Sequence, residues 1–466
     1  MTSTKIAAVQ MAAGTATEWR SVNPVLQQGE YGLETDTRRK KLGNGSSTWA
    51  DLPYEATSAV VGPSPVTTRS KGAVFGSETS DGVATGHLTR LAFTFLEDCS
   101  SVELLYANVL GGDGVEADGR NDITVWCAVE DPVSGTPRLL TPPAGLVLSP
   151  NGSVWVSVPG YLGRRGETLV VRSQVSVAAG GVFPMPLKAV GPADGRLTNP
   201  GATNVTTSTA ASAIVGQGKA ASFGPVGVRG VPEVGSPAVL ALGTSIGAGA
   251  GSSTAMTEEA GWYKLALSGS NIPCHNIAFP SSSAHQAATW EQRFRRFFTT
   301  EGTTFTDGLI EHGTNDFIVY NLATMQADIL LLAQLFRTRV ERLWIPSTPP
   351  RTSDTAGTTP TGREAYRQAW NAWLRDGMPI DASTGKAVTA GTSSAVRCDV
   401  YNAAAARIAV GSPAHPFTGV WEVADTVESA RNSGVWRSPA LTSDGVHPSS
   451  AGHQLMAAAV PVAAMQ

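Results

Sequence analysis

Ala238-Val239-Leu240-Ala241-Leu242-Gly243-Thr244-Ser245-Ile246-Gly247 runs from an unbroken apolar stretch into a glycine-flanked turn that carries a serine. A short continuous apolar run bounded by turn residues reads as a strand buried on both faces, the kind found in parallel sheets. The chain beyond it keeps alternating. Glu258–Leu267 reads as a helix, Gly308–Glu311 as a short strand and Leu322–Arg337 as an amphipathic helix. Val340–Pro346 is a strand, Gly362–Arg375 a helix, and Ser449–Val460 a closing helix. Strands alternating with helices over residues 236–466 predict an α/β fold with a parallel sheet covered on both faces. Reactive side chains in such sheets gather at the carboxyl ends of the strands.

Three motifs fall at those ends or on the loop that faces them. Ser245 sits where the first buried strand becomes a turn, a place that suits a nucleophile and supplies a main-chain donor to a developing oxyanion. Gly313-Thr314-Asn315-Asp316 follows the Leu309–Glu311 strand, and an Asn there can aim its side-chain NH₂ at an oxyanion. Ser443-Asp444-Gly445-Val446-His447-Pro448 puts an acid three residues before a histidine. A carboxylate beside one imidazole nitrogen fixes the tautomer and leaves the other nitrogen free to take a serine proton. Either Ser449 or Ser450 can cap the helix that follows. His415-Pro416 is a decoy with no acid three residues before it. Singly, each motif is weak evidence; the signal is joint, all three occurring once, in one domain, in the order Ser, Asn, Asp-x-x-His.

This set resembles the SGNH/GDSL hydrolase family over roughly residues 236–466. The resemblance implies a flavodoxin-like parallel sheet in a three-layer α/β/α arrangement. It also implies Ser245 as nucleophile, His447 as general base and then acid, and Asp444 as its orienting partner. The oxyanion donors would be the Ser245 main-chain N–H, the Asn315 side chain and a third main-chain N–H. The family places that third donor on a Gly five residues after an Asn. Here Asn276 is followed by Ser281, which makes Ser281 the candidate, and a strained one if the position needs φ > 0. Thr244 and Ile246 stand where the family name records Asp and Leu. Gly243-Thr244-Ser245-Ile246-Gly247 also satisfies the G-x-S-x-G elbow of α/β-hydrolases. In that fold, however, acid and His sit on separate loops, and strands with helices precede the nucleophile.

Upstream the texture is different. Residues 59–195 alternate in the strand manner, as in Leu91–Phe95, Val102–Tyr106, Ile123–Trp126, Val154–Val158 and Thr168–Arg172. Turn clusters such as Gly111–Gly114 and Ser149–Gly152 separate them, which predicts a β-sandwich or jelly roll. Trp126 and Trp155 are read as core in preference to a sugar platform. Residues 196–235 are poor in large apolar side chains and read as an extended Thr/Ser/Gly/Pro-rich linker or surface-wrapping segment. Residues 1–58 read as short strands and turns, with Asn44-Gly45 as a tight-turn signal and Arg38–Lys41 as a solvated hairpin tip.

Within that first segment, Trp19-Arg20-Ser21-Val22-Asn23-Pro24-Val25-Leu26 leads into Gly29-Glu30-Tyr31-Gly32-Leu33-Glu34-Thr35-Asp36-Thr37. The pattern continues through Lys41-Leu42-Gly43-Asn44-Gly45 to Trp49-Ala50-Asp51-Leu52-Pro53-Tyr54. It resembles the N-terminal module of phage tail fibre and tropism-determinant proteins. That resemblance implies a homotrimeric virion tail component that partners other tail proteins and acts outside the cell, on the host surface.

Composition limits the alternatives. The 466 residues include 50 Gly and 29 Pro, only 15% are charged, and the net charge is −4. Nothing in that balance calls for nucleic acid as a partner. No run approaches the ~18–20 apolar residues of a membrane span, so no membrane insertion is expected. Ile6–Gly14 is too weakly apolar to be expected as a signal peptide. Cys99, Cys127, Cys274 and Cys398 form no CxxC pair and read as buried thiols. The seven histidines show no metal-binding spacing, and no cofactor is called for. The combined expectation is a tail protein carrying a serine esterase that removes O-acyl groups, acetyl above all, from host cell-surface polysaccharide. The alternative is a non-catalytic receptor-binding fibre whose α/β domain only holds glycan.

Overall fold

The computed structural model describes residues 12–35, 40–52, 62–67, 80–112, 115–117, 120–185, 187–188, 194–200, 204–207, 221–233, 236–252, 261–289 and 295–466. Arg38, Arg39, Asp113, Gly114, residues 208–212 and the start of the expected Glu258–Leu267 helix lie outside them. The chain forms two compact units, Met1–Ala59 and Val60–Gln466.

In the first unit, Ala12–Gly14 runs parallel to Tyr31–Glu34, which pairs antiparallel with Lys40–Leu42. Between the first two strands lies a helix, Ala16–Val22, that strand-and-turn reading did not anticipate. Its signal is a capping box: the Thr15 hydroxyl accepts the Glu18 N–H while the Glu18 carboxylate accepts the Thr15 N–H. The helix places Trp19 in a stack with Trp49, ring centroids 4.2 Å apart. Together with Leu26 and Leu52 these rings are the small core.

The second unit contains a two-sheet region and an α/β region. One sheet carries Gly86–Thr94, Ile123–Glu130 and Thr168–Ser176 with the shorter Pro137–Leu139, Leu146–Leu148 and Gly195–Thr198. The other carries Ser153–Ser157, Cys99–Ala107, Gly227–Pro232 and Ser64–Pro65. Leu91, Phe93, Val125 and Val171 of the first sheet share a core with Leu104, Tyr106, Val156 and Val228 of the second. The stretch read as a linker therefore does more than connect. Gly195–Thr198 and Gly227–Pro232 are strands, and the latter lies between Cys99–Ala107 and Ser64–Pro65. Its Gly-Val-Arg-Gly-Val-Pro sequence hides the alternation, because small residues serve where other layers approach closely. There a Cβ on Gly227 would lie 2.5 Å from the His275 ring. Trp155 is half-buried beneath the Arg229 guanidinium, 3.9 Å from the ring centroid, and Trp126 is half-buried too.

The α/β region is built on seven strands: β1 (Val239–Gly243), β2 (Cys274–Asn276), β3 (Asp307–Glu311), β4 (Arg342–Pro346), β5 (Asp399–Tyr401), β6 (Arg407–Ala409) and β7 (Gly419–Trp421). Their order is β2-β1-β3-β4-β7-β5-β6, all parallel except the edge strand β6. Alternate residues of β1 enter two different cores. Leu240 and Leu242 join Met325, Ile329 and Phe336 of the helix Leu322–Phe336, and Trp370 of the helix Glu364–Arg375. Val239 and Ala241 join Trp262 and Leu267 of the helix Trp262–Gly269, and Met456 of the helix Ser450–Ala457. Asn321 caps the long helix by accepting the Thr324 N–H, and Ser449 caps the last by accepting the Gly452 N–H.

The first of these cores also takes in Leu105, Ala107 and Val226 from the two-sheet region, so the two regions are packed on a continuous apolar layer. Thr67 accepts the Cys274 N–H at 3.1 Å, closing part of the exposed edge of β2. The four cysteines are buried free thiols. Among the described residues, no helix is long and apolar enough to cross a membrane.

Candidate active site

The chain leaves β1 towards β2 on one side and returns to β3 on the other, so the carboxyl ends of β1 and β3 flank a topological switch point. Crevices outside such points are where open α/β sheets bind ligands. Ser245 follows β1, and Asn315 follows β3.

The turn bearing Ser245 is fastened from below. The Glu311 carboxylate, at the end of β3, accepts the Thr244 N–H at 2.9 Å, the Gly247 N–H at 3.0 Å and the Thr244 hydroxyl at 3.0 Å. Burial pushes this carboxyl up to about 7, with the Thr244 and Gly247 bonds opposing the rise. Asn276 fastens the turn from β2: its Nδ2 donates to the Gly247 carbonyl at 3.1 Å, while its Oδ1 accepts the Tyr263 hydroxyl at 2.7 Å. Sequence reasoning valued Asn276 only as a marker for the residue five places on.

Across the crevice, the 443–448 loop holds Asp444 and His447. The Asp444 carboxylate accepts the main-chain N–H groups of Val446 and His447 at 2.9 and 2.8 Å. His447 Nδ1 lies 2.7 Å from the second Asp444 oxygen. Partial burial works against the Asp444 charge, but the bonds from His447 and Val446 outweigh it and hold the carboxyl below its usual value. An ionised carboxylate only accepts, so Nδ1 carries the proton and Nε2 is left as an acceptor. Ser245 Oγ lies 2.8 Å from that Nε2, on a half-buried side chain. Gly445 gives the loop its bend at φ +86°, where an added Cβ would collide with the Asp354 carbonyl.

The remaining two predicted residues stand on the other wall. Asn315 donates one Nδ2 hydrogen to the Ser282 carbonyl at 3.0 Å, and its Oδ1 accepts from Arg351 Nη1 at 3.1 Å. Asp316 beneath it accepts the Gly313 and Ala284 N–H groups, and burial pushes its carboxyl up to about 6. Ser281 is exposed and adopts φ +62°, the left-handed conformation that favours glycine. The decoy His415 is buried, its ring between the Phe417 and Met378 carbonyls. Arg351, on the loop after β4, carries no sequence signal of its own.

The sheet thus brings a serine, a histidine and an acid into one hydrogen-bonded line at the switch point, a hydroxyl beside an oriented imidazole, an arrangement that can carry nucleophilic chemistry. Comparison with known proteins adds two findings. Residues 9–47 match the family described as the major tropism determinant N-terminal domain. Solved structures similar to the chain include a GDSL-like lipase from Bacteroides thetaiotaomicron, 16% identical over 49% of this chain and 87% of its own, TM-score 0.30. Another is a carbohydrate esterase family 2 enzyme with its carbohydrate binding domain from Corynascus thermopiles (Myceliophthora fergusii). It is 13% identical over 84% of this chain and 97% of its own, TM-score 0.32. No curated protein matches the chain.

Proposed function

We propose that the protein is a phage tail component whose α/β region is a serine esterase, removing O-acyl groups, acetyl above all, from host cell-surface polysaccharide. The observation that carries the reading is the unbroken line from Ser245 Oγ through the His447 ring to Asp444, 2.8 and 2.7 Å long. Nε2 takes the serine proton as Oγ bonds to the acyl carbon, and the imidazolium is stabilised by Asp444. Donors to the oxyanion are the Ser245 N–H, the Asn315 carboxamide and the main chain at Ser281. The imidazolium then returns its proton to the sugar oxygen as the ester C–O bond breaks. Water, deprotonated by the same nitrogen, releases the acid and restores Ser245.

The match at residues 9–47 supports the tail location; the same reading takes the protein as a homotrimer that joins other tail proteins. In the same reading the two-sheet region is a β-sandwich spacer, and the α/β region is a three-layer hydrolase spanning residues 236–466. The test is labelling of the intact protein by a fluorophosphonate probe with Ser245→Ala as control: labelling lost in the variant is expected, and none in folded wild type would sink the esterase. Sedimentation as a monomer would count against the fibre. One observation favours the second reading, a fibre that binds glycan without cleaving it: a serine at φ +62° where an oxyanion glycine is expected.

A further inference from the structure

Arg351 stands between the two walls of the crevice. Its Nη1 donates to Asn315 Oδ1 at 3.1 Å and to the Thr314 carbonyl at 3.3 Å. The next residue, Thr352, gives its N–H and its hydroxyl to the Gly445 carbonyl at 2.9 and 3.0 Å, beside Asp444. One arginine is thus fixed at the rim between the oxyanion side and the acid–base side.

What the guanidinium lacks is a contact ion pair; Asp444 acts on it only from a distance. Among the described residues no carboxylate lies within ion-pair distance of it, whereas Arg342, Arg375 and Arg397 each face one. Nε and Nη2 have no hydrogen-bond partner among the described residues, and neither atom is sealed from solvent. Partial burial presses against the charge while Asp444 helps to keep it. A planar, permanently charged fork with its outer edge unused is suited to a bidentate oxyanion, either carboxylate or phosphate.

We infer that Arg351 binds an anionic group next to the scissile ester, so that the substrate is an acidic glycan whose acyl group lies within one residue of a carboxylate or phosphodiester. This rests on the esterase reading above. The residue acts on specificity, and its bond to Asn315 couples the bound anion to the oxyanion side chain.

The test compares charge-matched esters with the full-length protein. Acetylated oligogalacturonate is used as the free acid and as its methyl ester, and acetylated glycerol-phosphate oligomer against acetylated glycerol. Fluorophosphonate labelling runs in parallel. The expected result is a kcat/KM preference of about tenfold or more for at least one anionic member over its neutral partner, the scale of one charge-assisted hydrogen bond. The preference shrinks as salt is raised. Which pair shows it tells carboxylate from phosphodiester. Arg351→Lys keeps part of the preference, and Arg351→Ala loses it. Equal turnover or no turnover of both members in both pairs, with labelling intact, overturns the inference and leaves the esterase standing. An equal loss on charged and neutral esters in Arg351→Ala also overturns it, reducing Arg351 to a positioning residue for Asn315. Absent labelling overturns the esterase reading itself.

Discussion

Glu311 and Gly247 are joined by a 3.0 Å bond from the Gly247 N–H to a buried carboxylate, so the turn that carries Ser245 rests on a buried titratable group. Burial raises this carboxyl to about 7, so the folded protein holds the proton more tightly than the unfolded chain does. Its stabilisation is therefore full below the ordinary carboxyl value and is lost as pH rises through about 7. His275, His312 and His453, pushed down by burial to about 4, 3 and 4, act with the opposite sign. They are common to wild type and variant. Glu311→Gln keeps an acceptor for the two N–H groups and cannot ionise. The difference between the wild-type and variant denaturant midpoints, measured from pH 5 to 8, is expected to move against the wild type as pH rises; a constant difference would show that Glu311 does not titrate there.

Asp444→Asn tests the orientation of the base. An amide in place of Oδ2 donates towards Nδ1 and drives the ring proton onto Nε2, where it faces Ser245. Turnover of an acetyl ester is expected to fall on the order of 10³–10⁴-fold with the fold intact. A loss below tenfold would mean that Asp444 is not the orienting acid.

Ser281 holds a backbone conformation that costs an L-residue about 1–2 kcal/mol. Glycine removes that strain but adds about 0.4–1 kcal/mol of unfolded-chain entropy. Ser281→Gly is thus expected to raise stability by no more than about 1.6 kcal/mol and to keep or increase the rate of fluorophosphonate labelling. Ser281→Val, β-branched, is expected to lower both. A Gly variant that labels more slowly would remove the main chain at this position from the oxyanion donors.

Gly445→Ala drives a methyl group into the Asp354 carbonyl while the backbone stays at φ +86°. The loop carrying Asp444 and His447 must shift. A loss of about 1–3 kcal/mol in urea unfolding is expected, of the size seen for overpacking, with labelling of Ser245 largely abolished. Unchanged labelling would mean that the loop tolerates the displacement.

Buried parallel strands announce themselves, because both faces are apolar and the run is continuous; β1, β3 and β4 are legible for that reason. β2, β5 and β7 are three residues each and carry His275, Asp399 and Gly419, too short and mixed to show a period. The structure brings Ser245, His447 and Asp444 into one hydrogen-bonded line; Ser245 and Asn315 could be singled out as polar residues at strand ends, and Asp444 and His447 as an acid three residues before a histidine on a facing loop. Arg351 could not. It follows Pro349-Pro350 in an ordinary loop, and its meaning lies in having no contact ion pair among the described residues, which only the folded chain reveals. Asn276 and Glu311 read locally as strand residues, and their grip on the Ser245 turn depends on parallel neighbours far away in sequence.

The apolar layer shared by Leu105, Ala107 and Val226 with Leu240 and Leu242 decides where this chain can be cut and grafted. An excision at residue 236 would strip one wall from the α/β region and leave an adhesive, aggregation-prone face. The compact unit to keep whole is Val60–Gln466. Recombination would therefore pass on the α/β region and its β scaffold as one heritable block, and any change in what the crevice recognises has to arise within it.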